Sequence, residues 1–226
     1  KISGKFAINM GLNAGAGVYD LYLATANPYL KAGDTVVLAF EYDAYTRNWI
    51  EFNNITLDLA HTAPNYAKTL SFYDKMDYCF QQHVRYYKKT FDNICDLLST
   101  KSIYARKNIN SFGDFDLNYT KNSAVRAPMQ KPNDFVINPE SIVAIQRYIR
   151  DFEDRGIRVF IAYPPAYLDA REEDILEFDK KLREQLGEWI IGKITDWTFD
   201  TGEKFFDTAY HLNASATIEH TVYYYD

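Results

Sequence analysis

Asp207-Thr-Ala-Tyr-His211-Leu-Asn213 puts a carboxylate and an imidazole on one short segment near the C-terminus. Such a pair can do base chemistry. The carboxylate accepts from Nδ1–H and fixes the imidazole tautomer, which leaves the other ring nitrogen free to take a proton from a hydroxyl. An Asp shortly before a His is also a commonplace spacing, so the meaning of Asp207 and His211 depends on what the rest of the chain sets beside them.

Two other sets of residues could complete a site. The turn Asn9-Met-Gly11-Leu-Asn13-Ala-Gly15 is built of small residues, which let backbone N–H groups face a cleft. The N-terminus of a following helix adds positive potential there, a setting that suits a developing oxyanion. The same glycines equally serve a tight strand-to-helix turn. Glu41-Tyr42-Asp43 follows an apolar run. Its carboxylates could bind a polar substrate or orient a neighbour, or Glu41 could cap a helix and accept backbone hydrogen bonds.

The elements that must position these residues alternate. Phe6 to Met10 reads as a short strand running into the glycine turn, and a helix follows from about Val18 to Leu30. Thr35-Val-Val-Leu-Ala-Phe-Glu41 is a continuous apolar run of the kind found in strands buried on both faces of parallel sheets. Asn138-Pro139 supplies an N-cap and a proline at the first helical position. Ile142, Ile145, Ile149 and Phe152 then recur at helical spacing on one face. Gly156 ends that helix, Ile157 to Tyr163 is the next strand, and Pro164-Pro165 stops it. A second amphipathic helix over about Glu172 to Leu186 precedes a short strand near Trp189 to Ile191, and a last helix follows His211.

Strands alternating with helices predict an α/β fold with a mostly parallel sheet. The chain reads as one domain over residues 1–226. Residues 43–132 break the alternation, with an aromatic-rich helical stretch over about 66–99 and a polar, irregular segment after it. They read as an insertion capping the carboxyl end of the sheet, which is where open α/β sheets bind ligands.

Bulk properties remove several functions. A net charge of −6 with no basic stripe argues against a nucleic-acid partner. Lys88-Lys89 and Lys180-Lys181 read as solvated helix faces. No apolar run approaches a membrane span, so membrane anchoring would need a segment outside these residues. His61, His83 and His220 show no metal spacing with Cys, Asp or Glu, so neither a metal nor another cofactor is expected. His83 reads as structural, and His220 as solvent-facing or packed in the last helix. Cys79 and Cys95 form no disulfide framework and read as buried thiols. With 19 Tyr and 15 Phe, most aromatic residues must fill the core, while some could line a cleft for carbohydrate.

Taken in order, "NMGLNAGAG", "GDTVVLAFEY" and "FFDTAYHLN" resemble the SGNH (GDSL-type) hydrolase family. The similarity is greater to its cell-envelope branch, which includes the DltD- and AlgJ/AlgX-like proteins, and the "YPP" after Ile157–Tyr163 shares in it. The resemblance implies a three-layer α/β/α, flavodoxin-like fold. It makes Asp207 and His211 the acid and base of a Ser-His-Asp triad and draws an oxyanion N–H from the turn at Gly11 to Gly15. It implies an esterase or O-acyltransferase acting on an acylated polysaccharide or glycolipid outside the cytoplasm.

The family's nucleophilic serine lies on a strand before the Asn-x-Gly turn, which here would precede Lys1. Residues 1–226 contain neither Gly-Asp-Ser nor Gly-x-Ser-x-Gly. Glu41-Tyr42 stands near the place of the family's Gly-x-Asn-Asp block, and Ser215-Ala216 replaces a glycine common after His-Leu-Asn. Two rival expectations follow: a catalytically inactive glycan-binding module of the same fold, and an unrelated flavodoxin-like domain holding a phosphorylated ligand at Gly11–Gly17.

Overall fold

The computed structural model describes residues 30–46, 135–199, 202–206 and 208–223, together with Phe72, Tyr73, Met76, Cys79, Phe80, Val84 and Tyr87. The expected strand Phe6–Met10, the glycine turn, the helix running toward Leu30, most of the 43–132 insertion, His61, His83, Cys95 and Asp207 lie outside the described residues.

Three parallel strands form the central sheet: β1 (Thr35–Leu38), β2 (Arg158–Ala162) and β4 (Ile190–Ile191). β2 lies between the other two, with Thr35 opposite Arg158, Leu38 opposite Ile161 and Ala162 opposite Ile191. Residues of β3 (Ala166–Tyr167) pair in parallel with those of β5 (Thr198–Phe199) as a second, two-stranded sheet. A one-turn helix, α1 (Asp43–Thr46), follows β1; α2 (Pro139–Asp154) precedes β2, α3 (Glu172–Leu186) precedes β4, and α4 (Ala214–Tyr223) closes the described chain. The protein is an α/β protein with parallel strands, as the alternation predicts.

The two long helices form for the reasons visible in their sequences. Asn138 caps α2 by accepting from the Glu140 N–H at 2.9 Å, ahead of Pro139. Ile142, Ile145, Ile149 and Phe152 are all buried, and each contributes about 1.5–3 kcal/mol by leaving water. α3 buries Ile175, Phe178, Leu182 and Leu186 in the same way. Strand order β1-β2-β4 advances in one direction across the sheet. Right-handed crossovers then place α2 and α3 on one face. Their side-by-side packing agrees: Gln146 Nε2 donates to the Gln185 carbonyl at 2.9 Å, and Trp189 Nε1 donates to Glu153 at 2.9 Å.

Gly156 sets the sheet's register at its amino end. It turns the chain out of α2 with φ +74, and an added Cβ would come within 3.1 Å of the Ala32 Cβ. Its carbonyl accepts from the Gly33 N–H at 2.8 Å, which aligns the starts of β1 and β2.

Two expectations are corrected. β1 is not buried on both faces, because Val37 is 54% exposed while Leu38 is buried; among the described residues β2 covers one edge of β1, and α2 and α3 pack on one face of the sheet. Cys79 is exposed rather than buried. It shares a helical face with Phe72, Met76 and Phe80, and all three are exposed too, so this aromatic face points outward rather than into the core.

Candidate active site

The carboxyl end of β1 runs directly into Glu41-Tyr42-Asp43. The Glu41 and Tyr42 carbonyls accept from the Ala44 and Tyr45 N–H groups at 2.9 and 3.0 Å, which opens α1. Glu41 thus takes part in starting a helix through its main chain, and its side chain stays half-buried. The Tyr45 carbonyl accepts from the Asn138 N–H at 2.8 Å, tying this corner to the start of α2.

Tyr42 is fully buried, and its ring explains how the corner is held. It meets Phe178 of α3 edge-on at 5.8 Å, and Phe178 also contacts Tyr45 at 6.4 Å and Phe135 at 5.2 Å. Tyr42 then meets Tyr210 at 6.3 Å and 70°. Edge-to-face pairs of this kind add about 0.5–1.5 kcal/mol each beyond burial. The residue immediately before His211 is therefore packed against the residue immediately after Glu41. Tyr42 serves as packing at this corner, and its buried ring gives a substrate no open face.

The His211 segment is a hairpin-like loop. Phe205 and Leu212 face each other as an antiparallel bridge. The Phe206 N–H donates to the His211 carbonyl at 2.7 Å, and the Asn213 N–H donates to the Lys204 carbonyl at 2.9 Å. Thr208 Oγ1 accepts from the N–H groups of Tyr210 and His211 at 3.3 and 3.2 Å, which curls the loop between them. The Ala209 carbonyl accepts from the Tyr167 N–H at 2.8 Å and docks the loop on β3. Asp207 belongs to this loop by sequence, one residue after Phe206. His211 is half-buried.

Charge and burial distinguish the phenols here. Burial first, then the nearby carboxylates of Glu41 and Asp43 and the Tyr42 phenol, raise the Tyr210 hydroxyl well above the ordinary phenol range, with the Tyr42 main chain acting in the opposite sense. Tyr210 stays a neutral O–H. At the end of β2, Tyr163 donates to Asp179, which also accepts from Arg183 Nε at 3.0 Å. Arg183 lies over the Tyr163 ring at 5.7 Å and donates to the Gly192 carbonyl at 2.6 Å. Burial and the Asp179 hydrogen bond hold the Tyr163 hydroxyl well above its usual range.

Of the site residues expected from sequence, Glu41, Tyr42 and His211 are brought to one corner, at the carboxyl end of β1. Gly11, Asn13, Gly15 and Asp207 lie outside the described residues. Sequence reasoning missed Tyr210 and Asn213. Asn213 was open to notice, since an Asn directly before a helix is an N-cap signal. His220 packs rather than facing solvent: its ring meets Trp197 at 4.3 Å, and burial lowers its pKa to about 4.

Among the described residues no group of three or more His, Cys, Asp or Glu could hold a metal ion, and no helix is long and apolar enough to cross a membrane. No protein-family model matches the chain, and neither does any curated protein or solved structure.

Proposed function

We propose that the chain is an SGNH-like esterase or O-acyltransferase domain, built as a three-layer, flavodoxin-like α/β/α fold. It would add or remove acyl groups on an acylated polysaccharide or glycolipid in an extracytoplasmic setting. His211 is the general base, Asp207 fixes its tautomer, and N–H groups of the turn holding Gly11, Asn13 and Gly15 receive the oxyanion. Glu41 borders the acceptor site.

One observation supports this most: the loop carrying His211 is packed, through Tyr210 on Tyr42, at the carboxyl end of a parallel strand. Ligands of open α/β sheets bind at that end. This packing brings the Glu41 and His211 segments to one corner.

The chemistry follows. A serine hydroxyl gives its proton to His211 as its oxygen attacks the acyl carbonyl. The tetrahedral oxyanion collapses, and His211 returns the proton to the departing sugar oxygen. Water, or an acceptor hydroxyl in a transferase, then takes the acyl group from the serine with His211 again as base. The serine would stand on a strand preceding the Asn9–Gly15 turn.

The alternative is a glycan-binding module of the same fold, a reading favoured by the lack of Gly-Asp-Ser within residues 1–226. Release of acetate from O-acetylated polysaccharide by the full-length protein separates the two. The esterase predicts release that falls by roughly 10³-fold or more in His211→Ala, as for loss of a triad base. Binding of the polysaccharide with no release, unaffected by that substitution, would favour the module.

A further inference from the structure

We infer that Asn213 is a positioning residue for His211, an assignment that rests on the functional reading above for its catalytic meaning but on geometry for the positioning itself. Asn213 is 8% exposed and is one of two buried polar residues described. Every polar group it has is engaged. Its Nδ2 donates to the Glu203 carbonyl at 2.7 Å. Its Oδ1 accepts from the Ala216 N–H at 3.1 Å and from Ser215 Oγ at 2.9 Å. Its N–H donates to the Lys204 carbonyl at 2.9 Å, and its carbonyl accepts from the Thr217 N–H at 2.9 Å.

These bonds face in two directions. Oδ1 and the main-chain carbonyl cap α4, which any Ser, Asp or Asn could do. Nδ2 and the main-chain N–H grip successive carbonyls, Glu203 and Lys204, of the segment that forms the other side of the hairpin. The His211 loop closes at the end of a stem whose rungs are Phe206 N–H to His211 carbonyl at the neck, the Phe205–Leu212 bridge next, and Asn213 on Lys204 and Glu203 below it. Only an amide both caps the helix with its oxygen and donates across the hairpin with its nitrogen. Serine and aspartate keep the first function and lose the second, and aspartate also sets a carboxylate against the Glu203 carbonyl.

Capping and positioning can therefore be separated. In Asn213→Asp and Asn213→Ser the cap persists while the bond to the Glu203 carbonyl is lost, so both variants fold, with Tm lowered more in the aspartate. The His211 ring is read in long-range 1H–15N spectra, which report its tautomer balance and ring shifts. Displaced His211 ring signals are expected in both variants while each remains folded. In the full-length protein, fluorophosphonate labelling should fall roughly 10- to 100-fold, the scale of a displacement of about 1 Å.

Unchanged ring signals in both variants would overturn the assignment and leave Asn213 as a helix cap. Displaced ring signals in a protein whose parent is never labelled would sink the hydrolase reading and keep the positioning. The parent supplies a check that needs no variant: the Asn213 side-chain amide protons exchange slowly with solvent if Nδ2 is held as described. Exchange at the rate of an open amide would contradict it.

Discussion

The ring of Tyr210 stands edge-on to the ring of Tyr42, with centroids 6.3 Å apart. Through this pair the residue before His211 is fixed to the residue after Glu41, and two segments far apart in sequence share one corner of the sheet. Phe178 backs the pair from α3. The ion pairs of Arg171 and Lys181 lie on exposed surface, where such pairs contribute little.

Removal of the Tyr210 ring should loosen this corner. Tyr210→Ala is expected to cost about 3 kcal/mol, as for other large buried side chains. Tyr210→Phe keeps the ring and should stay within about 1 kcal/mol of the parent. Urea unfolding of the two variants checks this; equal losses would mean that the hydroxyl, not the ring, holds the contact.

Phe178→Ala removes the side chain shared by Tyr42, Tyr45 and Phe135. A loss of about 3–5 kcal/mol is expected. Combined with Tyr210→Ala, the effects should be less than additive, because both act through Tyr42. Strict additivity in a double-mutant cycle would show that the two contacts are independent.

Stability should depend on pH through His220. Burial against Trp197 lowers its folded pKa to about 4, below the value of about 6.5 for an unfolded histidine. The unfolded chain therefore takes up the proton first as pH falls. His220 destabilises the fold progressively from about pH 6.5 down to about pH 4 and adds nothing further below that. The loss is on the order of 2 kcal/mol once partial solvent access is allowed for. His220→Gln should flatten the Tm profile in this window; an unchanged slope would mean that other groups set it.

Much of this architecture was readable from residue order. Asn138-Pro139, the isoleucine spacing after it and Gly156 marked α2 and its end, and the helix expected over Glu172 to Leu186 matches α3. These signals are local, made by capping and periodicity. β3 and β5 were not legible, because each is two residues long and exists through its partner rather than its own pattern. Pro164-Pro165 read as a stop, yet the chain re-pairs directly after it.

Thr35 to Glu41 looked like a strand buried on both faces, but apolar composition cannot tell whether both faces are covered, and Val37 is exposed. Among the site residues, Glu41, Tyr42 and His211 could be nominated from type and spacing. Tyr210 could not, since its meaning lies in a contact with Tyr42 across a long span of sequence.

The most direct test of the proposed site is fluorophosphonate labelling of the full-length protein, with the modified residue mapped by mass spectrometry. One serine should be labelled, on a segment preceding Asn9, and labelling should disappear in His211→Ala and fall steeply in Asp207→Ala while both variants stay folded. A folded protein that takes no label, or one labelled equally with and without His211, would contradict the assignment of His211 as the base of a serine hydrolase.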